Sequence, residues 1–188
     1  MLLYFLLLAA VGGGRLAELV VSRRNRARMM AEHGAQPGRD PIFPLMVFLH
    51  AMPFWCIPLE LFLLDRTFIP ALGYPMIGVF VLATVLRVWT LSTLRGYWNA
   101  QVMVPPDLQP VVDGPYRFMR QPNYLVVILE LFSLPLIYSC FSSAIALPGL
   151  NALVLVFRIR AEEEQLFTSP AYRASMGNKP RFLPRLRG

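Results

Sequence analysis

Charged residues are scarce in this sequence. Asp, Glu, Lys and Arg make up 15% of its 188 residues, whereas a soluble domain has about 25%. Hydrophobic residues reach 56% and the mean hydropathy is +0.50. This composition excludes an ordinary soluble domain and predicts a protein of the lipid bilayer.

Cysteine and histidine are also rare, with two residues of each. No spacing among them indicates a metal site. Cys56 lies in a predicted membrane span and Cys140 in a predicted turn, so the two are not expected to form a disulfide. His33 falls in a polar loop. His50 falls within a span, where a polar group needs a partner, and it is therefore a candidate for lining a substrate cavity.

Long apolar runs dominate the rest of the chain. Residues 1–21, 44–64 and 69–94 each reach the roughly 20 residues that a helix needs to cross a hydrocarbon core of about 30 Å. Residues 124–157 have room for two short or tilted crossings, with a turn near residues 138–143. The predicted fold is all-α and integral to the membrane, with about five transmembrane helices. The first run lacks a basic start and a small-residue cleavage site, so we interpret it as a permanent helix rather than a secretory signal.

Arginines are unevenly distributed among the predicted loops. They cluster between the first and second spans and between the third and fourth, at Arg23, Arg24, Arg26, Arg28, Arg39, Arg95, Arg117 and Arg120. The positive-inside rule therefore predicts that the N-terminus faces out and the C-terminus faces the cytoplasm. The net charge of +7 fits this asymmetry and attraction to anionic lipid. The sequence has no basic stripe with interleaved aromatic residues outside the membrane spans, so binding of nucleic acid is not expected.

Five charged residues lie inside the predicted spans, and one of them, Glu60, is near the outer end of the second span. A charge at such depth is normally paired or faces a wet cavity. Arg15 and Glu18 are spaced to meet on one helix face, and Arg87 and Glu130 are predicted to pair between helices. The alternative is that Arg87 or Glu130 belongs to a cavity that admits the polar head of a lipid-like substrate.

Two polar segments border the last two apolar runs. Residues 114–124 read GPYRFMRQPNY, and residues 158–166 read RIRAEEEQL. If the runs form a hairpin, both segments emerge on one side of the bilayer and build one site. Together with Tyr172 and RFLP at 181–184, they resemble the isoprenylcysteine carboxyl methyltransferase family of membrane enzymes. RLAEL at 15–19, RVW at 87–89 and YWN at 97–99 resemble more narrowly a bacterial branch, encoded beside type III polyketide synthases, that O-methylates alkylpyrones and alkylresorcinols.

The resemblance implies that the C-terminal half binds S-adenosylmethionine. The family pattern R-H-P-x-Y falls on residues 120–124 and its double glutamate on residues 162–163. The implied cofactor-binding residues are Tyr116, Arg120, Gln121, Pro122, Tyr124, Glu162 and Glu163. Gln121 replaces the family's histidine and cannot titrate, so we expect it to bind the cofactor rather than to move a proton.

Each of these side chains has a chemical reason to bind that cofactor. A glutamate supplies counter-charge to the sulfonium and ammonium groups, and Arg120 or Arg158 holds the carboxylate as a fork. Tyr116 and Tyr124 offer aromatic faces.

The acceptor decides whether the reaction needs a base. A carboxylate or an acidic enol is already ionised at neutral pH, whereas a phenol has a pKa near 10. A phenol therefore needs a base, for which Glu130 and His50 are candidates, or an arginine that lowers its pKa, for which Arg158 is the candidate. An apolar acceptor tail is expected to enter sideways from the bilayer.

The chain is expected to be one membrane methyltransferase domain over residues 1–188, integral to a bacterial inner membrane. Three spans fall in residues 1–94, and the cofactor-binding half in residues 95–188. The expected partners are a lipophilic acceptor and membrane lipid, and no oligomeric state is predicted. Carboxyl methylation of a prenylated cysteine and O-methylation of an alkylpyrone or alkylresorcinol both fit. An NADPH-dependent sterol-type reductase, a phospholipid N-methyltransferase and a non-enzymatic scaffold are the alternatives.

Overall fold

Seven α-helices and one short β-ladder form the part of the chain that the structure describes. The structure is a computed structural model and describes residues 1–38, 41–106 and 109–182. The helices are α1 (Leu2–His33), α2 (Phe43–Ala51), α3 (Pro53–Leu63), α4 (Pro70–Leu94), α5 (Pro122–Leu136), α6 (Phe141–Leu166) and α7 (Pro170–Met176). Strands β1 (Gln36–Pro37) and β2 (Met103–Val104) pair antiparallel, and 3₁₀ turns cover Arg95–Tyr97 and Gly114–Arg117.

Within the described residues, four stretches are long and apolar enough to cross a membrane. They are Leu2–His33, Phe43–Leu63, Pro70–Tyr97 and Phe141–Leu166. The fifth apolar helix, α5, has 15 residues and is therefore about 22 Å long, shorter than a hydrocarbon core of about 30 Å. The protein is an all-α integral membrane protein, as the apolar runs predict.

The second span consists of two helices. α2 ends at Ala51 and α3 begins at Pro53. The amide of Met52 still donates to the carbonyl of Phe48 at 3.1 Å, so the chain keeps its direction across the junction. Pro53 has no amide hydrogen to continue the ladder, which places a break immediately after the turn that carries His50.

α1 is longer than the first predicted span. The sequence predicts a loop from residue 22, but the helix continues to His33 and ends at Gly34 in the left-handed conformation, with φ 60°. The extension is rich in Arg, Ala and Met, which favour helix even though they are not all apolar. Its Asn25 side chain donates to the carbonyl of Trp98 at 2.8 Å, so the extension holds the segment that follows α4.

α5 lies at the centre of the bundle and packs against α4 and α6. Ten of its residues are buried, so its short length exposes little backbone or apolar surface to lipid. The turn after α5 ends at Cys140, close to the predicted position, and α6 returns antiparallel to α5. This hairpin brings the polar segment before α5 beside the charged end of α6, as the sequence predicts.

Candidate active site

A cavity of about 690 Å³ connects two chemically different sets of side chains. Polar and aromatic residues near the start of α5, the end of α6 and α7 form one set: Tyr116, Arg120, Gln121, Asn123, Tyr124, Arg158, Glu162 and Tyr172. Apolar residues of α1, α2 and α3 form the other: Gly12, Leu16, Leu19, Phe43, Met46, Val47, Phe54 and Trp55. We call these the polar part and the apolar part of the cavity. Residues 97–103 also line it.

Three side chains of the polar part form a hydrogen-bonded chain between α5 and α6. Arg158 Nε donates to the Tyr124 hydroxyl at 3.0 Å, and that hydroxyl donates to Glu162 Oε2. Arg158 Nη2 also donates to the carbonyl of Ala100 at 2.8 Å, which fixes the 97–103 segment against α6. These hydrogen bonds orient the Glu162 carboxylate, which lines the cavity.

Glu163 has a different position from its neighbour Glu162. It is buried, and its carboxylate accepts from Arg181 Nη2 at 2.7 Å and lies 3.3 Å from Arg120 Nη2. The backbone adds to this junction, since the amide of Gln121 donates to the carbonyl of Arg181 at 2.9 Å. Glu163 is not among the residues that line the cavity. It holds Arg120 and ties the residues after α7 to the start of α5.

Three buried polar atoms of the polar part lack a hydrogen-bond partner among the described residues. They are Arg120 Nε, Gln121 Nε2 and Asn123 Oδ1, and all three residues line the cavity. Buried polar atoms are nearly always paired in folded proteins. Two donors and one acceptor are therefore available to a polar ligand at this position.

Two tyrosines of the polar part carry hydroxyls that stay neutral. Burial raises the pKa of Tyr116, and the negative charge of Glu162 raises it further. Burial also raises the pKa of Tyr172, with Glu162 again contributing. A raised pKa keeps the proton on the phenol, so both side chains can donate hydrogen bonds and offer aromatic surface but cannot act as bases near neutral pH.

Four of the five charged residues in the spans form one network, whereas Glu60 pairs with Arg66 at 3.1 Å. The two predicted pairs are confirmed: Arg15 Nη1 donates to Glu18 Oε2 at 2.7 Å, and Arg87 Nη2 to Glu130 Oε2 at 2.6 Å. Arg87 also reaches Glu18 at 3.1 Å, and Arg15 reaches Glu130 at 3.0 Å. Two positive and two negative charges thus join α1, α4 and α5. Arg15, Glu18 and Arg87 also line the large cavity. Arg87 therefore both pairs with Glu130 and lines a cavity, the two roles that the sequence offered as alternatives.

Glu130 and His50 lie on either side of a smaller cavity, which Arg15 also lines. Glu130 does not line the large cavity, whereas His50 does. The His50 ring hydrogen-bonds through Nδ1 to the carbonyl of Met46 at 2.6 Å. His33 lies at the exposed end of α1 and packs against Tyr97, with the rings tilted by 35° and their centroids 5.5 Å apart.

The structure brings most of the predicted site residues to one cavity. Tyr116, Arg120, Gln121, Tyr124, Arg158, Glu162 and His50 line it, whereas Pro122, Glu163 and Glu130 do not. Pro122 is the first residue of α5 and is buried. Sequence reasoning did not single out Asn123, Asn99 or Gln101. Asn123 lies within the polar segment 114–124 and Asn99 within the motif YWN. Asn99 and Gln101 are held by hydrogen bonds to Ser22 and Arg26 of α1. Arg39 and residues 183–188 lie outside the described residues.

The helices define an integral membrane protein, and its cavity has a polar part and an apolar part. The sequence profile of the isoprenylcysteine carboxyl methyltransferase (ICMT) family matches residues 76–168. The chain is also 32% identical over 165 residues to uncharacterized protein YpbQ of Bacillus subtilis (strain 168). This alignment covers 87% of the chain and 96% of that relative. The chain therefore belongs to the isoprenylcysteine carboxyl methyltransferase family, as its polar segments predict, and is a membrane methyltransferase.

Proposed function

We propose that the protein transfers a methyl group from S-adenosylmethionine to an oxygen atom of a lipophilic acceptor at the membrane. The observation that carries the proposal is the cavity itself, in which a polar part and an apolar part share about 690 Å³. A charged, water-soluble cofactor and a lipid-like acceptor must meet within one such space for a group to pass directly between them.

The polar part suits the cofactor chemically. When bound, S-adenosylmethionine supplies an electrophilic methyl group on a positively charged sulfonium. Glu162 lines the cavity and places negative charge there, and Arg120 and Arg158 suit a carboxylate. Arg120 Nε, Gln121 Nε2 and Asn123 Oδ1 are buried and lack partners among the described residues, so polar groups of the cofactor would satisfy them.

The apolar part suits an acceptor with an alkyl or prenyl tail. It is formed by α1, α2 and α3, which lie outside the residues that match the family profile. The polar part lies mostly within that match. This division supports a cofactor that is shared by the whole family and an acceptor that differs between its branches. The acceptor would be an alkylpyrone or alkylresorcinol, or a prenylcysteine carboxylate. Arg15, Glu18 and Arg87 line the cavity. All three lie in the segments that resemble the bacterial branch.

The proposed setting is a bacterial inner membrane with the N-terminus outside and the C-terminus in the cytoplasm. The arginine-rich extension of α1, the segment between α4 and α5 and the end of α6 would then face the cytoplasm. This orientation gives the polar part access to the soluble cofactor.

A reductase that binds NADPH is less well supported. Such a site needs free cations for the phosphates. Lys179 Nζ donates to the carbonyl of Tyr116 at 2.8 Å, and Arg181 donates to Glu163, so both are engaged inside the protein. Arg185 lies outside the described residues.

Calorimetry on the purified protein in detergent tests the cofactor directly. We expect saturable binding of S-adenosylmethionine and none of NADPH. Gln121→Ala and Asn123→Ala should each weaken binding about fivefold or more, on the scale of one hydrogen bond, while the exposed control Asn178→Ala should bind like wild type. Binding of NADPH without binding of S-adenosylmethionine would replace the proposed function by reduction.

Transfer of a labelled methyl group then identifies the acceptor. An alkylresorcinol, an alkylpyrone, a prenylated cysteine and phosphatidylethanolamine are offered separately in detergent micelles. We expect label on an oxygen of one of the first three. Label on phosphatidylethanolamine alone would make the protein an N-methyltransferase.

A further inference from the structure

We infer that His50 is the general base that removes the proton from a hydroxyl acceptor. The inference rests on the proposed function and deepens it, because it names the side chain that prepares the acceptor oxygen. His50 is in α2, on the side of the cavity formed by the apolar helices, and it lines the cavity.

The tautomer of His50 is set by its hydrogen bond within α2. Nδ1 lies 2.6 Å from the carbonyl oxygen of Met46. A carbonyl oxygen can only accept a hydrogen bond, so Nδ1 carries the hydrogen. In the neutral ring, Nε2 then holds the lone pair and is the atom that can take a proton.

The other charged groups of the cavity are poorly suited to accept a proton. Glu18 accepts hydrogen bonds from Arg15 and Arg87, and Glu130 accepts from the same two arginines and lies outside the large cavity. Each of these two carboxylates is held by two guanidinium groups, so its oxygens are already engaged as hydrogen-bond acceptors. Glu162, in the polar part, already accepts from Tyr124. The arginines themselves stay protonated.

The charges around His50 suit the products of proton transfer. Arg15 and Glu18 on α1, Arg87 on α4 and Glu130 on α5 form a balanced network, and Arg15 and Glu130 line the small cavity together with His50. Transfer creates a positive imidazolium and a negative oxygen without changing the net charge of the site. Arg15 and Arg87 stabilise the negative oxygen.

The step itself is a simple proton transfer. The O–H bond of the acceptor breaks, the proton bonds to Nε2 of His50, and the electron pair stays on the acceptor oxygen as the nucleophile. A carboxylate acceptor has no such proton to lose near neutral pH. His50 is therefore needed for a phenolic acceptor and dispensable for an acceptor that is already ionised, such as a carboxylate.

Methyl transfer by His50→Gln provides the first test. We expect kcat with an alkylresorcinol to fall about 10²- to 10⁴-fold, the usual contribution of a general base, with little change in the KM for S-adenosylmethionine. Any activity with a prenylcysteine carboxylate should be kept. His33→Gln, which changes the exposed histidine at the end of α1, is the matched control and should behave like wild type with both acceptors. Equal loss with both acceptors, or loss with neither, would overturn the inference.

A binding measurement without cofactor provides the second test. A nitrophenol with an alkyl chain absorbs visible light when it is ionised, so its absorbance reports proton loss in the cavity. We expect wild-type protein and His33→Gln to bind the anion at neutral pH, and His50→Gln to raise the apparent pKa of the bound phenol by about one unit, a tenfold change. An identical titration in wild type and His50→Gln would overturn the inference.

The two proposals fail in different ways. Wild-type protein that binds no S-adenosylmethionine in calorimetry would overturn the proposed function and with it the role of His50. Normal cofactor binding by His50→Gln, together with unchanged phenol ionisation and an unchanged rate on the alkylresorcinol, would overturn the role of His50 alone.

Discussion

Glu162 and Glu163 are neighbours in the sequence but have different surroundings in the structure. Consecutive residues of a helix point about 100° apart. Glu162 therefore lines the cavity, whereas Glu163 points to Arg120 and Arg181. The family pattern assigns both to the cofactor, and the structure suggests a direct role for the first and a supporting role for the second.

We predict that Glu162→Gln and Glu163→Gln affect different measurements. Glu162→Gln should weaken the binding of S-adenosylmethionine about tenfold or more, since a hydrogen bond to a charged group contributes about 1.5–3 kcal/mol. Glu163→Gln should lower the melting temperature more than Glu162→Gln does, because it releases Arg120 and Arg181. Calorimetry and thermal unfolding in the same detergent check both. A reversed pattern would place Glu163 in direct contact with the cofactor.

Tyr116 provides a prediction about pH. Burial and Glu162 raise its pKa, so the phenol keeps its proton to higher pH than a free tyrosine, whose pKa is near 10. Tyr116→Phe should therefore leave the shape of the kcat/KM profile unchanged between about pH 6 and pH 10, although the absolute value can fall if the hydroxyl binds the ligand. Loss of a limb of the profile in this variant would show that the Tyr116 hydroxyl titrates during the reaction.

At the scale of the helices, the network of Arg15, Glu18, Arg87 and Glu130 joins α1 and α4 to the central α5. Each of these charges is costly to bury alone but is compensated by the others. The network also contributes three of its four residues to the cavity, so packing of the bundle and shape of the site depend on the same contacts.

A double-mutant cycle measures this dependence. Arg87→Met and Glu130→Met should each destabilise the protein by about 3–5 kcal/mol, because each leaves an uncompensated charge in the bundle. The double variant should be more stable than the sum of the two losses implies. Arg28→Ala at the exposed pair with Glu32, whose N–O distance is 2.8 Å, is the control and should leave thermal unfolding unchanged. Additive losses would mean that Arg87 and Glu130 do not interact.

Much of this arrangement is predictable from the sequence because hydropathy and spacing report it directly. Apolar length predicts the spans, the spacing of Arg15 and Glu18 predicts their pairing, and the hairpin brings residues 120–124 near residues 158–163. The extension of α1 was not predicted, because its arginines mark the end of an apolar run without ending the helix. The contacts of Ser22 with Asn99 and of Arg26 with Gln101, at 2.8 and 2.6 Å, were not predictable either. Such tertiary hydrogen bonds leave no periodic pattern.

At the scale of the whole molecule, the orientation in the membrane follows from the arginines. We predict that a cysteine replacing Ala31, on the exposed extension of α1, is protected from an impermeant thiol reagent in intact cells. A cysteine replacing Thr67, in the exposed turn between α3 and α4, should be labelled. Both are introduced after the free thiols Cys56 and Cys140 have been replaced, and both should be labelled in permeabilised cells. The opposite pattern would reverse the orientation and place the polar part of the cavity outside the cell.

α1 has a mechanical consequence because it is unbroken over 32 residues. At 1.5 Å per residue it is about 48 Å long, so roughly 18 Å extends beyond a hydrocarbon core of about 30 Å. A helix of fixed length responds to a thicker bilayer by tilting less. Asn25 and Ser22 are bonded to residues 98 and 99, so a change of tilt acts as a lever on one wall of the cavity. We therefore expect the KM for the acceptor to depend on the acyl-chain length of the surrounding lipid, and Asn25→Ala to reduce that dependence in reconstituted vesicles.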